Sequence, residues 1–168
     1  NFENVISGGI SYEADMDGIG IMASVVGESG DAEIDTGAGA QNDLSAYSVG
    51  LGFEVAGFTV VGNWADLGDS GLSTSTTGAD EQTYWSAGAA YENGPYGVSV
   101  NYFESEGSSN GAAAVAQDLN NLVVGADYQM APGLTPYIEA SFFEFDDNTA
   151  GTTDNEGNVI LVGAEVSF

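Results

Sequence analysis

The side chains of this chain that can do chemistry are oxygen acids and hydroxyls. Its 168 residues include 26 Asp and Glu but no Lys, Arg, His or Cys, for a formal charge of −26. Without imidazole, thiol or amine there is no nitrogen base, no thiolate nucleophile and no Schiff base. Nothing can neutralise a phosphate, so nucleic acid is excluded as a partner. What remains is carboxylate chemistry: acid–base pairs, hard cations held by oxygen, or fixed charge acting on a passing ion.

Each possibility has candidate residues. Glu92 and Asp127 could form the carboxylate pair of a glycoside hydrolase. They share their strand phase, however, with Glu13, Glu54, Glu139 and Glu165, and Asn101 falls on the same face. Carboxylates spread over so many segments suit the wall of a channel better than one active site, so no enzymatic role is expected. The stretch DMDG at 15–18 resembles the start of an EF-hand loop, but Val26 occupies the twelfth position where an acid is needed. Asp-Gly there is expected to make a tight turn instead. Asp146, Asp147, Asp154 and Glu156, with the acidic stretch 28–35, could take up Ca²⁺ or Mg²⁺ through oxygen. A plain solvated acidic loop is the simpler expectation. No cofactor is required, although bound divalent ions would relieve the mutual repulsion of so many carboxylates.

The elements that position these residues are strands. With 43% hydrophobic and 11% aromatic residues, the composition is too apolar for a disordered chain. Period-two alternation predicts nine strands, at 4–13, 18–27, 45–55, 57–66, 83–92, 96–105, 121–130, 134–145 and 158–168. Residues 112–119 are expected to be loop. One face of each strand is apolar; the other is small or polar and carries the carboxylates. No apolar run approaches the ~20 residues of a membrane helix.

A soluble β-sandwich also alternates, and an acidic extracellular structural or adhesive β-protein is one alternative. The placement of the aromatic residues argues otherwise. Tyr12, Phe58, Trp64, Trp85, Tyr91, Tyr96, Tyr102 and Tyr128 sit toward the ends of the apolar stripes, whose middles are Val, Ala, Leu and Ile. Aromatic borders around an aliphatic band are the layout of a lipid-facing barrel surface. Connections also alternate: tight turns at 14–18, 55–57, 93–95 and 131–133, and long acidic loops at 28–44, 67–82, 106–120 and 146–157. In outer-membrane barrels the short side is periplasmic. An all-β antiparallel transmembrane β-barrel in a Gram-negative outer membrane, in contact with its lipid, is the expected fold.

The stretches AYSVGLGFEVAGFTVVGNWA (46–65), YWSAGAAYENGPYGVSVNYFESE (84–106), NNLVVGADYQMAPGLTPYIEASFFEFDD (120–147) and VILVGAEVSF (159–168) resemble hairpins of the Gram-negative general porins. The likeness is to the C-terminal half of the sixteen-stranded alphaproteobacterial type. It implies passive diffusion of ions and small hydrophilic solutes, and a homotrimer. It also implies that Phe168, Val166, Ala164 and Val162 are the terminal signal read by the barrel-assembly machinery. The inward-folded constriction loop of that family, and the basic wall it faces, have no counterpart in this chain.

Bacterial single-chain barrels have even strand numbers. Nine strands ending in the periplasm would put Asn1 outside, as if an extracellular loop had been cut, with the remaining N-terminal strands of the barrel supplied separately. A self-contained eight-stranded barrel is the other possibility. Its interior is just filled by side chains, and it would bury unpaired carboxylates at several kcal/mol each. A wide, water-filled, cation-biased pore avoids that cost.

Overall fold

The computed structural model describes residues 1–76, 82–108, 115–147 and 154–167. Every regular element among them is a strand: β1 Phe2–Met16, β2 Ile19–Ala32, β3 Leu44–Val55, β4 Phe58–Gly68, β5 Gln82–Asn93, β6 Tyr96–Ser108, β7 Ala116–Tyr128, β8 Leu134–Asp147 and β9 Asn155–Val166. Each pairs antiparallel with the next, giving one nine-stranded sheet in chain order. Among the described residues β1 and β9 do not pair, so they form the two open edges.

The register aligns like with like. One row of directly opposed residues runs Ala14, Ile21, Phe53, Val60, Ala89, Val100, Val124, Ala140 and Ile160, apolar across all nine strands. A row on the opposite face reads Ser11, Ser24, Gly50, Asn63, Ser86, Phe103, Asn121, Phe143 and Gly157. Exposure alternates with the faces. In β3, Tyr47, Val49, Leu51 and Phe53 are exposed while Ala46, Ser48, Gly50 and Gly52 are covered. Side chains crowd on the inner side of a curved sheet and splay on the outer, so the sheet curls with its apolar face convex.

The result is a fold without an ordinary core. The buried apolar side chains among the described residues are Ala32, Ala40, Ala65 and Leu72. Meanwhile Ile6, Ile10, Ile160 and Val162 are 76%, 74%, 70% and 73% exposed. Burying one such side chain stabilises a water-soluble protein by about 1.5–3 kcal/mol. A fold that turns this many outward makes physical sense only against an apolar medium.

The strands run 11 to 15 residues, longer than the sequence reading. Periodicity registers only the ~9–11 residues that cross a bilayer, whereas the ladders continue past them. Residues 116–119, expected to be loop, are the start of β7. Gln117 pairs with Gly107 on one side and Asp147 on the other, and Asp118 with Glu106 and Asp146. Polar residues occupy both faces here, so no alternation marks the strand. At the other extreme, Gly57 and Gly18, read as strand, belong to turns.

The long loops that are described do not hang free. The β2–β3 and β4–β5 connections are stitched together: Asn42 N–H donates to Leu72 O (2.9 Å), Gly71 N–H to Asn42 O (3.2 Å) and Thr74 N–H to Ala40 O (3.0 Å). Asp43 Oδ1 accepts from the amide of Ala32 at 2.9 Å, pinning the end of β2. Ala32, Ala40 and Leu72 are buried beneath this joint.

At the opposite end the turns are tight. Asp17 (φ 55°) with Gly18 (φ 80°), and Ala56 (φ 50°) with Gly57 (φ 82°), are both left-handed at their two central residues, as a two-residue hairpin that matches strand twist requires. DMDG is therefore a hairpin turn, with the Gly18 amide donating to Asp15 Oδ1 at 3.3 Å. At Gly57 a side chain would also run into the backbone of Glu92, whose amide donates to Gly57 O at 2.9 Å. Gly57→Val is expected to cost about 1–3 kcal/mol. Gly18→Asn, in open space and in a conformation Asn tolerates, should be near neutral. Urea unfolding midpoints of the two variants would check the contrast.

Candidate channel wall

The concave face collects Glu13, Glu54, Glu92, Asn101, Asp127, Glu139 and Glu165. Their opposite residues explain how they fit. Glu13 faces Met22, and Glu54 lies between Gly20 and Thr59. Glu92 faces Gly97, which in turn faces Asp127. A Cβ at Gly97 would collide with the Asp127 carboxylate, and one at Gly20 would sit 3.2 Å from Glu54 Cβ. Glycine makes room for acids that lie along the wall. Most of these carboxylates cluster toward the tight-turn end. Further along, the wall is small and polar, with Asn63 Nδ2 donating to Val49 O (3.2 Å) and Ser141 Oγ donating to Asn121 Oδ1 (2.7 Å).

The convex face has two aromatic borders. Toward the turn end, Phe58 stacks on Tyr91 (centroids 4.2 Å) and Tyr96 packs on Tyr128 (4.9 Å); Tyr12 stands somewhat further into the band. Toward the loop end, Trp85 meets Tyr102 at 5.1 Å, and Trp64 meets Tyr47 edge-on at 5.5 Å. The sequence reading placed Tyr47 on the apolar face but not in the border, because its ring contact is made across strands. Tyr102 donates its hydroxyl to Glu104 Oε2 at 2.8 Å, the first carboxylate beyond the aliphatic band. Val162, Ala164 and Val166 continue the apolar face on β9, opposite Ile138, Pro136 and Leu134. Phe168 lies outside the described residues.

Past the loop-end border the convex face becomes acidic. Glu106, Asp118 and Asp146 oppose one another across β6–β8, and Glu144 opposes Glu156. Asp146 stands two pairs beyond Phe142, on the water side of the border. Desolvation, and then the carboxylates of Glu144, Asp154 and Asp118, hold its carboxyl above the usual range. Asp147, its neighbour in the strand, turns to the other face. Among the described residues no three acids form a group that could hold a metal ion.

One part of the wall departs from the sequence reading. The concave face is not small or polar throughout: Tyr84, Phe103, Leu119, Phe143 and Phe145 lie on it near the loop end. FFEF offers no clean alternation, since both of its faces are aromatic, and only the register separates Phe142 (convex) from Phe143 and Phe145.

Two outcomes test this face assignment. Leu51→Arg, mid-band on the convex face, is expected to destabilise by about 2–4 kcal/mol, whereas Ser99→Arg on the concave face should cost little; urea midpoints in lipid vesicles would separate them. Asp146→Asn bears on the acidic rows. A raised carboxyl pKa means the folded state binds the proton more readily than the unfolded chain, so its charged form destabilises at neutral pH and that strain is relieved as pH falls. The variant should therefore be more stable than the parent at neutral pH. The gap should close near pH ~4, and an equal gap at both pH values would contradict the assignment.

Comparison with known proteins agrees with this geometry. The family described as Gram-negative porin matches residues 1–148. Uncharacterized proteins of Rickettsia bellii and Rickettsia conorii are each 27% identical across all of this chain, covering 42% and 41% of their own lengths. One from Rickettsia prowazekii is 29% identical over 76% of the chain and 29% of its own length. The chain thus spans about two-fifths of the length of the relatives it matches throughout. With its open antiparallel sheet, apolar convex face and acidic concave face, the chain belongs to the Gram-negative porin family.

Proposed function

We propose that this chain is a wall section of a water-filled outer-membrane channel, and that the channel passes ions and small hydrophilic solutes with a bias toward cations. The observation that carries the reading is the division of one sheet into two surfaces. The convex side exposes an aliphatic band between aromatic borders. The concave side carries carboxylates with no Lys, Arg or His anywhere in the chain. Hydrocarbon suits the first and water the second.

The relatives are more than twice as long as this chain, which supports closure by further strands at the open edges of β1 and β9. A sixteen-stranded barrel, trimerisation, recognition of the terminal strand by the assembly machinery, and loose Ca²⁺ or Mg²⁺ screening of the acidic loop end belong to the same reading. No chemical step is assigned to it. The tight turns would face the periplasm, so the lumenal acids Glu54, Glu92 and Asp127 would form a negative collar near that exit. Fixed carboxylates on the wall of a water-filled pore attract cations and repel anions.

The test is the reversal potential of the complete channel in planar bilayers under a KCl gradient. Its sign should report preference for K⁺ over Cl⁻. Glu54→Gln and Asp127→Asn should each lower the permeability ratio roughly twofold, the combined effect on cation and anion of one charge at ~9 Å in water screened by ~0.1 M salt. Anion preference in the parent would refute the bias, and the absence of any conductance would refute the channel.

A further inference from the structure

The geometry points to an aromatic lane on the channel wall that binds organic cations in transit. It rests on the channel reading above. Facing residues of β8 on the concave side are, in order from the loop end, Phe145, Phe143, Ser141, Glu139 and Tyr137. At ~3.4 Å per residue, the lane runs for about 27 Å. Water-filled lumens have no packing need for three rings on one strand, and the sequence reading expected none at the loop end.

How the rings are held matters. Phe143 lies directly opposite Gly157, and Tyr137 opposite Gly163. A Cβ on Gly157 would come within 2.9 Å of the Phe143 ring, and one on Gly163 within 2.6 Å of the Tyr137 ring. Both rings therefore lean across onto bare backbone of β9 and lie along the wall instead of projecting across the lumen. Tyr137 is exposed there and Phe143 half-covered, so both rings remain open to the channel. Across Asn121 of β7 from Phe143, Phe103 of β6 approaches Tyr84 of β5 at 5.7 Å with an interplanar angle of 32°. Tyr84 and Phe145 share a groove of about 270 Å³ with Leu67, Leu119 and Gln117.

Charge decides what such a lane would take. Glu139 stands between Tyr137 and Phe143 on the same face, and Asp127 is directly opposite Tyr137. No cationic side chain exists in this chain to occupy either. Ring faces attract cations through their quadrupole, and unpaired carboxylates do so by their charge. Anions are repelled by both, and a neutral apolar solute gains nothing from the acids. A soft, weakly hydrated organic ammonium gains from each, so that is the class of ligand the wall fits. Binding must stay weak at each step, or the lane would block the pore instead of conducting.

The experiment uses the complete channel in planar bilayers, with choline added to a KCl background as the probe. Choline should reduce the K⁺ current with a saturable dependence. The half-saturating concentration should rise about three- to tenfold in Phe143→Leu/Phe145→Leu, which keeps apolar volume but removes the rings. An unchanged half-saturating concentration overturns the lane and leaves the channel standing, whereas loss of all conductance in the parent overturns both. Should that variant not assemble, Phe103→Cys in a cysteine-free background supplies the second readout. A cationic thiosulfonate should label it from the lumen, and choline should slow the labelling. A thiol that never reacts would mean that polypeptide covers the lane, which also overturns the proposal.

Discussion

Backbone amides and carbonyls placed in hydrocarbon find no water to bond, and each one left alone costs several kcal/mol. A sheet can meet that demand only by pairing every strand with its neighbours, which is why the eight ladders here run in chain order. Much else depends on this single requirement. It fixes the antiparallel path, obliges short connections at one end, and puts alternate side chains into different solvents. It also leaves the edges of β1 and β9 open among the described residues. Hydrocarbon does not tolerate unpaired sheet edges, the cost that the proposed closure by further strands would remove.

Within that frame the two faces obey separate rules. Outward, bulk and apolarity are selected together, so Ile, Val and Leu fill the middle while Trp and Tyr take the borders, where a ring can meet chain and headgroup at once. Inward, crowding on the concave side selects smallness. Gly20, Gly97, Gly157 and Gly163 each lie beneath a neighbour's carboxylate or ring. These glycines are space for other side chains rather than flexible joints. The absence of cations leaves the fields of the inner-face carboxylates uncancelled, as it does those of the acidic rows past the loop-end border.

Much of this was legible from residue order, for a definite reason: period two and two solvents write the same pattern. The strands, the face of each acid and the aromatic borders follow from it. The pattern fails where both faces meet water. Near the start of β7, Gln117 to Leu119 pair on both sides yet show no alternation. It also fails where both faces are apolar, as in Phe142–Phe143, so the rings on the concave wall emerged only from the register. Contacts made across strands, such as Tyr47 with Trp64, were invisible for the same reason. Loop structure was not legible at all, since the joint between Gln41–Asn42 and Leu72–Thr74 is held by backbone bonds to which side-chain identity gives no clue.

That joint has a consequence for how the surface can change. Loops exposed to phage, antibodies and predators ordinarily drift freely in length and sequence. Here two of them share a ladder, and the amide of Asn42 and the carbonyl of Leu72 must stay in step. An insertion in one would shear the register of the other, expose the buried Leu72 and unpin the end of β2. Diversification of this part of the rim would therefore proceed by paired changes or by exchange of both loops together. In a set of natural variants it should look like a single hereditary unit, although its halves are separated by an entire hairpin.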